Sequence, residues 1–321
     1  MNSRLKEIAD EILTHDRIVI VSHVRPDGDT LSCAYAMKEM LKNKGKSVLC
    51  VCHERVSERL SFLCDEPILL PGEIPSDFGQ TLVLTLDVAS TSMLGDCASL
   101  LTGVRSIKID HHNGHDAYAD VNYTEEKTAA CAEIIYDVAE YWDCMTDKVC
   151  DLLYAGISFD TGCFKHSNVT QQTHLKAAYL VSRGVNTNRI NKLLFDEKTL
   201  SEIEGLKLTY NLLTFFRNGR IALVCIDNEM KKQYGLTDDD LADTSQIPIE
   251  VKGVMLGITI KEKSGESGVY KISMRSRQGV DASAICNKLN GGGHTCAAGG
   301  SIKASSREEA IQKVIAAAGE V

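Results

Sequence analysis

Apolar residues recur at helical spacing over residues 5–15, and β-branched residues then crowd into the run Arg17-Ile-Val-Ile-Val-Ser22. The first pattern predicts a helix with one buried face, the second a strand inside a core. A polar loop follows, then a helix over about 30–44, closed by Gly45, and a further strand over 47–52. Strand, loop, helix and strand in that order form a βαβ unit and imply a parallel sheet. The alternation continues with strands at 81–86 and 105–109, separated by a short helical stretch over 92–101. Helices are expected next over 128–142, 146–158 and 171–183.

The texture then changes. Connecting helices are predicted over 186–195 and 200–216, strands over 221–226, 251–261 and 269–274, and a last helix over 307–318. A chain of 321 residues is long enough for two ordinary domains. The reading is an α/β protein in two parts. A parallel-sheet α/β domain spans 1–190, a helical linker 191–210, and a smaller α/β domain 211–321.

The composition is 44% hydrophobic and 25% charged, a globular balance, and only five prolines argue against long disordered segments. No run approaches the ~20 apolar residues that span a bilayer. The amphipathic start Met1-Asn-Ser-Arg-Leu-Lys-Glu-Ile8 lacks the apolar core of a signal peptide, so a cytoplasmic, non-membrane protein is expected. Twelve cysteines occur without a Cys-x-x-Cys pair, which favours free thiols in a reducing compartment over a zinc site. The net charge of −9 offers no broad basic surface for duplex DNA. An acidic chain that meets phosphates needs cations or a local basic pocket.

Ligands of open parallel sheets bind at the carboxyl ends of the strands. Four polar clusters fall there or in a glycine loop: His23-Val-Arg-Pro-Asp27-Gly-Asp29, Asp87, Asp110-His111-His112 and Asp160-Thr161-Gly162. Each alone reads better as a satisfied histidine, a turn, a helix cap or a strand end. Together they would place several carboxylates side by side, at a desolvation and repulsion cost that a polyvalent cation removes. Carboxylates with imidazoles and no thiolate suit Mn²⁺ best, with Mg²⁺, Co²⁺ or Fe²⁺ also compatible. His23, Asp27, Asp29, Asp87, His111 and Asp160 suffice for two ions if one carboxylate bridges. Paired ions of this kind clamp a phosphoryl group and generate a hydroxide, so phosphate-ester or phosphoanhydride hydrolysis is expected.

These motifs, in this order, resemble those of the DHH phosphoesterases. The likeness rests on Ser22-His23-Val-Arg-Pro-Asp27-Gly-Asp29, Leu86-Asp87-Val-Ala-Ser90, Ile109-Asp110-His111-His112-Asn113 and Gly156-Ile-Ser-Phe-Asp160-Thr-Gly162. The run Gly291-Gly-Gly-His294-Thr-Cys-Ala-Ala-Gly-Gly300 is similar to the glycine-rich signature of the family's second, DHH-associated domain. The resemblance implies that His23, Asp27 and Asp87 hold one metal, and that Asp29, Asp87, His111 and Asp160 hold the other. It implies His112 as a donor or general acid at the scissile phosphate and Asp110 as the group that orients the histidine pair. Thr30-Leu-Ser-Cys33 and Val88 depart from the family's usual Ala-x-Gly-Ser and Thr or Cys, without touching a proposed ligand.

Gly291, Gly292 and Gly293 read as a turn able to bring peptide N–H groups close to an anion, after a helix over 281–290. With the resemblance, His294 and Arg275 are expected to contact phosphate or base. Length and domain pairing are similar to the NrnA-type branch, which implies cleavage of very short RNA and dinucleotides to 5′-mononucleotides and dephosphorylation of 3′-phosphoadenosine-5′-phosphate. A metal centre in one domain and an anion pocket in the other would make a cleft suited to short single-stranded or mononucleotide substrates. A homodimer is compatible with the chain. An inorganic pyrophosphatase or polyphosphatase, and a non-catalytic nucleotide-binding module, remain as alternatives.

Overall fold

The computed structural model describes residues 1–112 and 116–319; the side chains of Asp243 and His294 lie outside that description. The chain forms two compact units, Met1–Glu197 and Lys198–Val321.

In the first unit, strands β1 (Arg17–Val21), β2 (Ser47–Val51), β3 (Leu82–Leu86), β4 (Arg105–Asp110) and β5 (Val121–Thr124) form a parallel sheet in the order β2-β1-β3-β4-β5. The helices are α1 (Ser3–Leu13), α2 (Gly28–Asn43), α3 (Cys131–Tyr141), α4 (Asp147–Asp160), α5 (Gln171–Ser182) and α6 (Thr187–Asn191), which runs into a π turn over Lys192–Asp196. β1 alternates its side chains between two cores. Ile18 and Ile20 join the helical side with Leu31, Met37, Ile135 and Leu153, whereas Val19 and Val21 face the opposite layer with Val83, Leu94 and Cys97. Each such aliphatic side chain removed from water contributes ~1.5–3 kcal/mol. The stretch expected as a helix over 92–101 is instead two 3₁₀ segments, Thr91–Met93 and Gly95–Leu101. Gly95, at φ +54°, interrupts it. The short edge strand β5 was not visible in the pattern.

α2 begins two residues earlier than its periodicity suggests. Asp27 is its N-cap and accepts the N–H groups of Asp29 and Thr30, which puts Asp29 inside the first turn. α4 packs closely on α2, and Gly156 permits the approach. A Cβ at that position would lie 2.7 Å from both Asp29 Oδ1 and Ala132 Cβ.

In the second unit, α7 (Leu200–Asn211) leads into a six-stranded mixed sheet. Its strands are β6 (Thr214–Phe216), β7 (Ile221–Ile226), β8 (Leu256–Glu262), β9 (Val269–Ser276), β10 (Gly292–His294) and β11 (Ala297–Lys303), in the order β10-β11-β9-β8-β7-β6. Only β7 and β8 pair in parallel. Short helices α8 (Asn228–Tyr234), α9 (Ile247–Glu250) and α10 (Ala282–Asn287) and the closing α11 (Arg307–Ala318) complete it. α10 and α11 cover one face with Ile285, Ala310 and Val314, and Leu208, Leu236 and Leu241 cover the other against Val224. The strand expected over 251–261 starts only at Leu256, because Gly253 turns the chain at φ +90°.

The glycines 291–293 are not a free loop. Gly292 and Gly293 belong to β10 and pair with Gly299 and Ala298 of β11. A Cβ on Gly291 would fall 2.0 Å from the Gly299 carbonyl oxygen, so only glycine allows this approach. Among the described residues no helix is long and apolar enough to cross a membrane. The cysteines are free, and most are buried.

Gly156→Val should destabilise the first unit by ~1–3 kcal/mol through overpacking. Gly72→Ala, at a position with nothing within 4 Å of the added carbon, should change stability by less than ~0.5 kcal/mol. Chemical denaturation of both variants checks the pair.

Candidate metal centre

The chain runs from β1 out to β2 and back past β1 to β3, so the sheet's topological switch lies between β1 and β3. His23 follows β1 and Asp87 follows β3, one on each side of that switch. His23 is buried, and its Nδ1 lies 2.8 Å from the Val24 carbonyl oxygen. That contact puts the proton on Nδ1 and turns the Nε2 lone pair inward. Nε2 is 3.7 Å from Asp27 Oδ2 and 3.8 Å from Asp87 Oδ2. Asp27 uses Oδ1 to cap α2, which leaves Oδ2 for the site.

Asp87 sits in the left-handed region at φ +61° and is buried. Asp tolerates this conformation better than most residues, yet it still costs ~1–3 kcal/mol. The twist turns its carboxylate across the strand ends. Asp87 Oδ1 lies 3.4 Å from His111 Nε2, which is also 3.2 Å from Asp160 Oδ2 at the end of α4. Asp29 is wholly buried, and its carboxylate receives the N–H groups of Cys131 (2.6 Å) and Ala132 (3.0 Å). It thereby caps α3, whose own N-cap, Ala130, has no side-chain acceptor.

Among the described residues, three sets of donor atoms fall within 4.8 Å of one another: His23, Asp27 and Asp87; Asp29, His111 and Asp160; and Asp87, His111 and His112. The first two coincide with the ligand sets implied from sequence, apart from Asp87 as the shared member of the second. In the third, His112 Nδ1 is 3.5 Å from Asp87 Oδ1 but makes a 2.8 Å hydrogen bond with Asp110 Oδ1, which commits that nitrogen and leaves Nε2 open. Asp110 Oδ1 also accepts the backbone N–H groups of His111 (2.9 Å) and His112 (3.3 Å).

The fit to a cation rests on two orphaned atoms. Among the described residues, buried Asp87 Oδ1 and His111 Nε2 face each other at 3.4 Å, and neither makes an aligned hydrogen bond. Such groups cost ~1–3 kcal/mol each unless something meets them, and a divalent ion would meet both. The thiols beside the site are poor competitors. Cys33 Sγ donates toward Asp29 Oδ1 at 3.5 Å, and burial pushes Cys131 up to about 11.

The electrostatics record the same crowding. Burial raises Asp29 well above the carboxylate range, with Asp160 and Asp87 adding to it. Burial also lifts Asp87 to about 6, with His111 pulling the other way and Asp27 and Asp160 reinforcing the rise. Asp160 is raised by burial and Asp27. Asp27 goes down despite its burial, because His23 and the α2 amides hold its charge. Burial lowers His23, but Asp27 and Asp87 outweigh it and bring the imidazole up to about 9. His111 rises for the same reason, against burial, through Asp160 and Asp87. Asp110 falls to about 2, because His112 and Lys108 outweigh its burial.

One neighbour carried no motif. Lys108, in β4, is buried with its ammonium 3.2 Å from Asp110 Oδ2. A lysine inside a strand flanked on both sides by parallel partners must be buried, and that placement was the available signal. In the second unit, Arg275 pairs across β9 and β11 with Ala297, and Ala297 pairs with His294 of β10. The register thus brings Arg275 and Gly291–Gly293 to one region of that sheet. The Arg275 guanidinium is half-buried, donates to the Met274 carbonyl oxygen at 3.1 Å, and is lowered by burial. The His294 side chain lies outside the described residues.

Residues 17–157 match the DHH family, N-terminal domain, and residues 222–320 match the DHHA1 domain. A probable bifunctional oligoribonuclease and PAP phosphatase NrnA from Streptococcus mutans is 28% identical over 92% of each chain. The bifunctional oligoribonuclease and PAP phosphatase NrnA of Bacillus subtilis is 25% identical, again over 92% of each chain. Among solved structures, an exopolyphosphatase-related protein from Bacteroides fragilis shares the fold with a TM-score of 0.89 and 20% identity, over 98% of this chain and 95% of that one. RecJ of Thermus thermophilus with Mn²⁺ shares it at a TM-score of 0.59 and 14% identity, over 99% of this chain and 55% of that one. The chain is therefore a hydrolase of phosphate ester bonds, with a catalytic parallel-sheet domain followed by a mixed-sheet domain. It carries the DHH family's N-terminal domain and the DHHA1 domain on one chain, and the phosphoesterases of the DHH family depend on metal.

The raised groups set a pH dependence for the metal-free protein. A folded carboxyl lifted to about 6, as at Asp87, contributes stability that is lost as pH climbs from its unfolded value of ~4. A folded imidazole at about 9, as at His23, contributes stability present below ~6.5 and lost as pH rises through 9. The Asp87 loss is complete near pH 6 and the His23 loss spans ~6.5 to 9, so the melting temperature in chelator should fall between pH 6 and 9 through His23. Divalent ion should restore it most at the alkaline end, where the ligands are deprotonated. Thermal melts with and without Mn²⁺ across that range check this.

Proposed function

We propose that this chain is a two-metal hydrolase of very short oligonucleotides. It releases 5′-mononucleotides from nanoRNA and dinucleotides and removes the 3′-phosphate of 3′-phosphoadenosine-5′-phosphate. The observation that carries the reading is the union of two ligand triads at one strand-end crevice with His112 beside them, its Nδ1 held by Asp110. The activities named for relatives that align along almost their whole length support the substrate class. The oxygen and imidazole donor set supports Mn²⁺, with Mg²⁺ or Co²⁺ as substitutes.

His23, Asp27 and Asp87 would hold one cation, and Asp29, His111 and Asp160, with Asp87 beside them, would hold the second. The bound ions supply charge neutralisation at the phosphoryl oxygens and a water of lowered pKa. The protein's own groups do the rest. Asp110 orients His112 so that Nε2 donates to the phosphate or its leaving oxygen. Arg275 and the β10 glycines hold substrate phosphate or base; among the described residues no carboxylate pairs with that guanidinium, and it is free to take an anion bidentately. The protein acts in the cytoplasm, on single-stranded or mononucleotide substrates rather than on duplex DNA.

Purified protein should hydrolyse a labelled dinucleotide, short RNA and 3′-phosphoadenosine-5′-phosphate with Mn²⁺, assayed beside Mg²⁺ and Co²⁺. No turnover of any short RNA, DNA or bisphosphate nucleotide at micromolar enzyme would refute the proposal, and rapid release of phosphate from pyrophosphate would favour a pyrophosphatase instead. Asp87→Ala and His111→Ala should abolish turnover together with metal binding. His112→Ala should retain metal and lose ~10²–10⁴-fold in rate, and Arg275→Ala should act chiefly on KM. Calorimetric metal titration alongside steady-state kinetics separates the roles, and metal loss in His112→Ala as complete as in His111→Ala would end the division between them.

A further inference from the structure

Lys108 stands in the middle of β4, paired on one side with β3 and on the other with β5, and its side chain is 1% exposed. Its Nζ lies 3.2 Å from Asp110 Oδ2 and donates to the carbonyl oxygens of Ala89 (3.3 Å) and Asp116 (3.4 Å). The ammonium also sits 5.4 Å from the centre of the Tyr118 ring. The Tyr118 hydroxyl is 3.0 Å from the Val88 carbonyl oxygen and 2.8 Å from Thr85 Oγ1. One buried cation thus ties together the segment after β3, the end of β4 and the return toward β5.

The consequence falls on Asp110. Its Oδ2 accepts no aligned hydrogen bond and faces the ammonium, while Oδ1 takes the His111 and His112 N–H groups and His112 Nδ1. The carboxyl plane is gripped from both sides. Packing does not require the charge, since a buried ion pair is commonly replaceable by apolar residues of like volume without loss of stability. We propose that Lys108 is a positioning residue for phosphoryl transfer: it fixes the carboxyl plane of Asp110 and, through it, the rotamer and tautomer of His112. This rests on the role given above to His112.

The test compares Lys108→Met, Asp110→Asn and the double variant with the unaltered protein. Lys108→Met should lower kcat by ~10–100-fold while KM and metal affinity hold. Added to Asp110→Asn, it should change kcat by less than ~2-fold, because it acts only through Asp110. Long-range ¹⁵N–¹H spectra of the Mg²⁺-loaded protein should show His112 Nδ1 protonated both in the neutral ring and in the imidazolium whose Nε2–H donates to phosphate, and a neutral ring redistributed between tautomers in Lys108→Met. Multiplying effects in the double variant, an unchanged tautomer, or an equal loss of metal affinity overturns the proposal. If Lys108→Met does not fold, the double variant, which buries no unpaired charge, carries the comparison with Asp110→Asn. If the unaltered protein hydrolyses no phosphate ester, the functional reading fails on that ground, and the Asp110→Asn and Lys108→Met spectra still decide whether Lys108 positions His112.

Discussion

Four carboxylates, those of Asp27, Asp29, Asp87 and Asp160, converge at the mouth of one parallel sheet, mostly out of water. Coulomb repulsion and desolvation both oppose the arrangement. It persists because the surrounding backbone is committed to it. The first turn of α2 holds Asp27, the first turn of α3 holds Asp29, and an unusual left-handed residue turns Asp87 inward. The imidazoles of His23 and His111 supply positive charge where no cation is bound. The folded chain therefore keeps the geometry of a cation site at its own expense, the pre-organisation on which catalysis by electrostatics depends.

The frame and the chemistry are separable. An exopolyphosphatase-related protein and RecJ share this fold at identities of 20% and 14%, under different descriptions. A shared fold does not by itself fix the chemistry of its members, which resides in the site each one carries. Selection among phosphorylated substrates is then a matter for elements outside the strand-end loops.

The central strands of the first unit were legible because a parallel strand buried on both faces is a nearly continuous β-branched run, as in Arg17–Val21. β5 escaped because Val-Asn-Tyr-Thr alternates over only four residues at a sheet edge. The start of α2 was ambiguous because Asp27 and Asp29 are both good caps, and only packing decides between them. Glycines 291–293 read locally as a turn; their pairing with β11 depends on residues that follow in the hairpin and on how closely Gly299 approaches, which no local pattern encodes. At the site, residue identities were legible because each stands at the end of a recognisable strand or helix. The split of Asp27 between cap and crevice, the anchoring of α3 by Asp29 and the burial of Lys108 were not, since each is a fact about which atom faces which neighbour.

The capping roles of Asp27 and Asp29 bear on how sequences of this architecture should be interpreted. Both residues satisfy peptide groups at helix starts, so a descendant that had lost all turnover would still be selected to retain them for folding alone. Among the described residues Asp87 and Asp160 cap no helix with their side chains, and His111 meets a peptide group only through Nδ1, 3.4 Å from the Thr128 carbonyl oxygen; without a cation, the atoms Asp87 Oδ1 and His111 Nε2 are a liability. Drift in an inactive lineage would erase those three first. An intact Asp-Gly-Asp motif is thus weak testimony of an active enzyme, whereas the survival of the other three together is strong testimony, and this chain has kept them all.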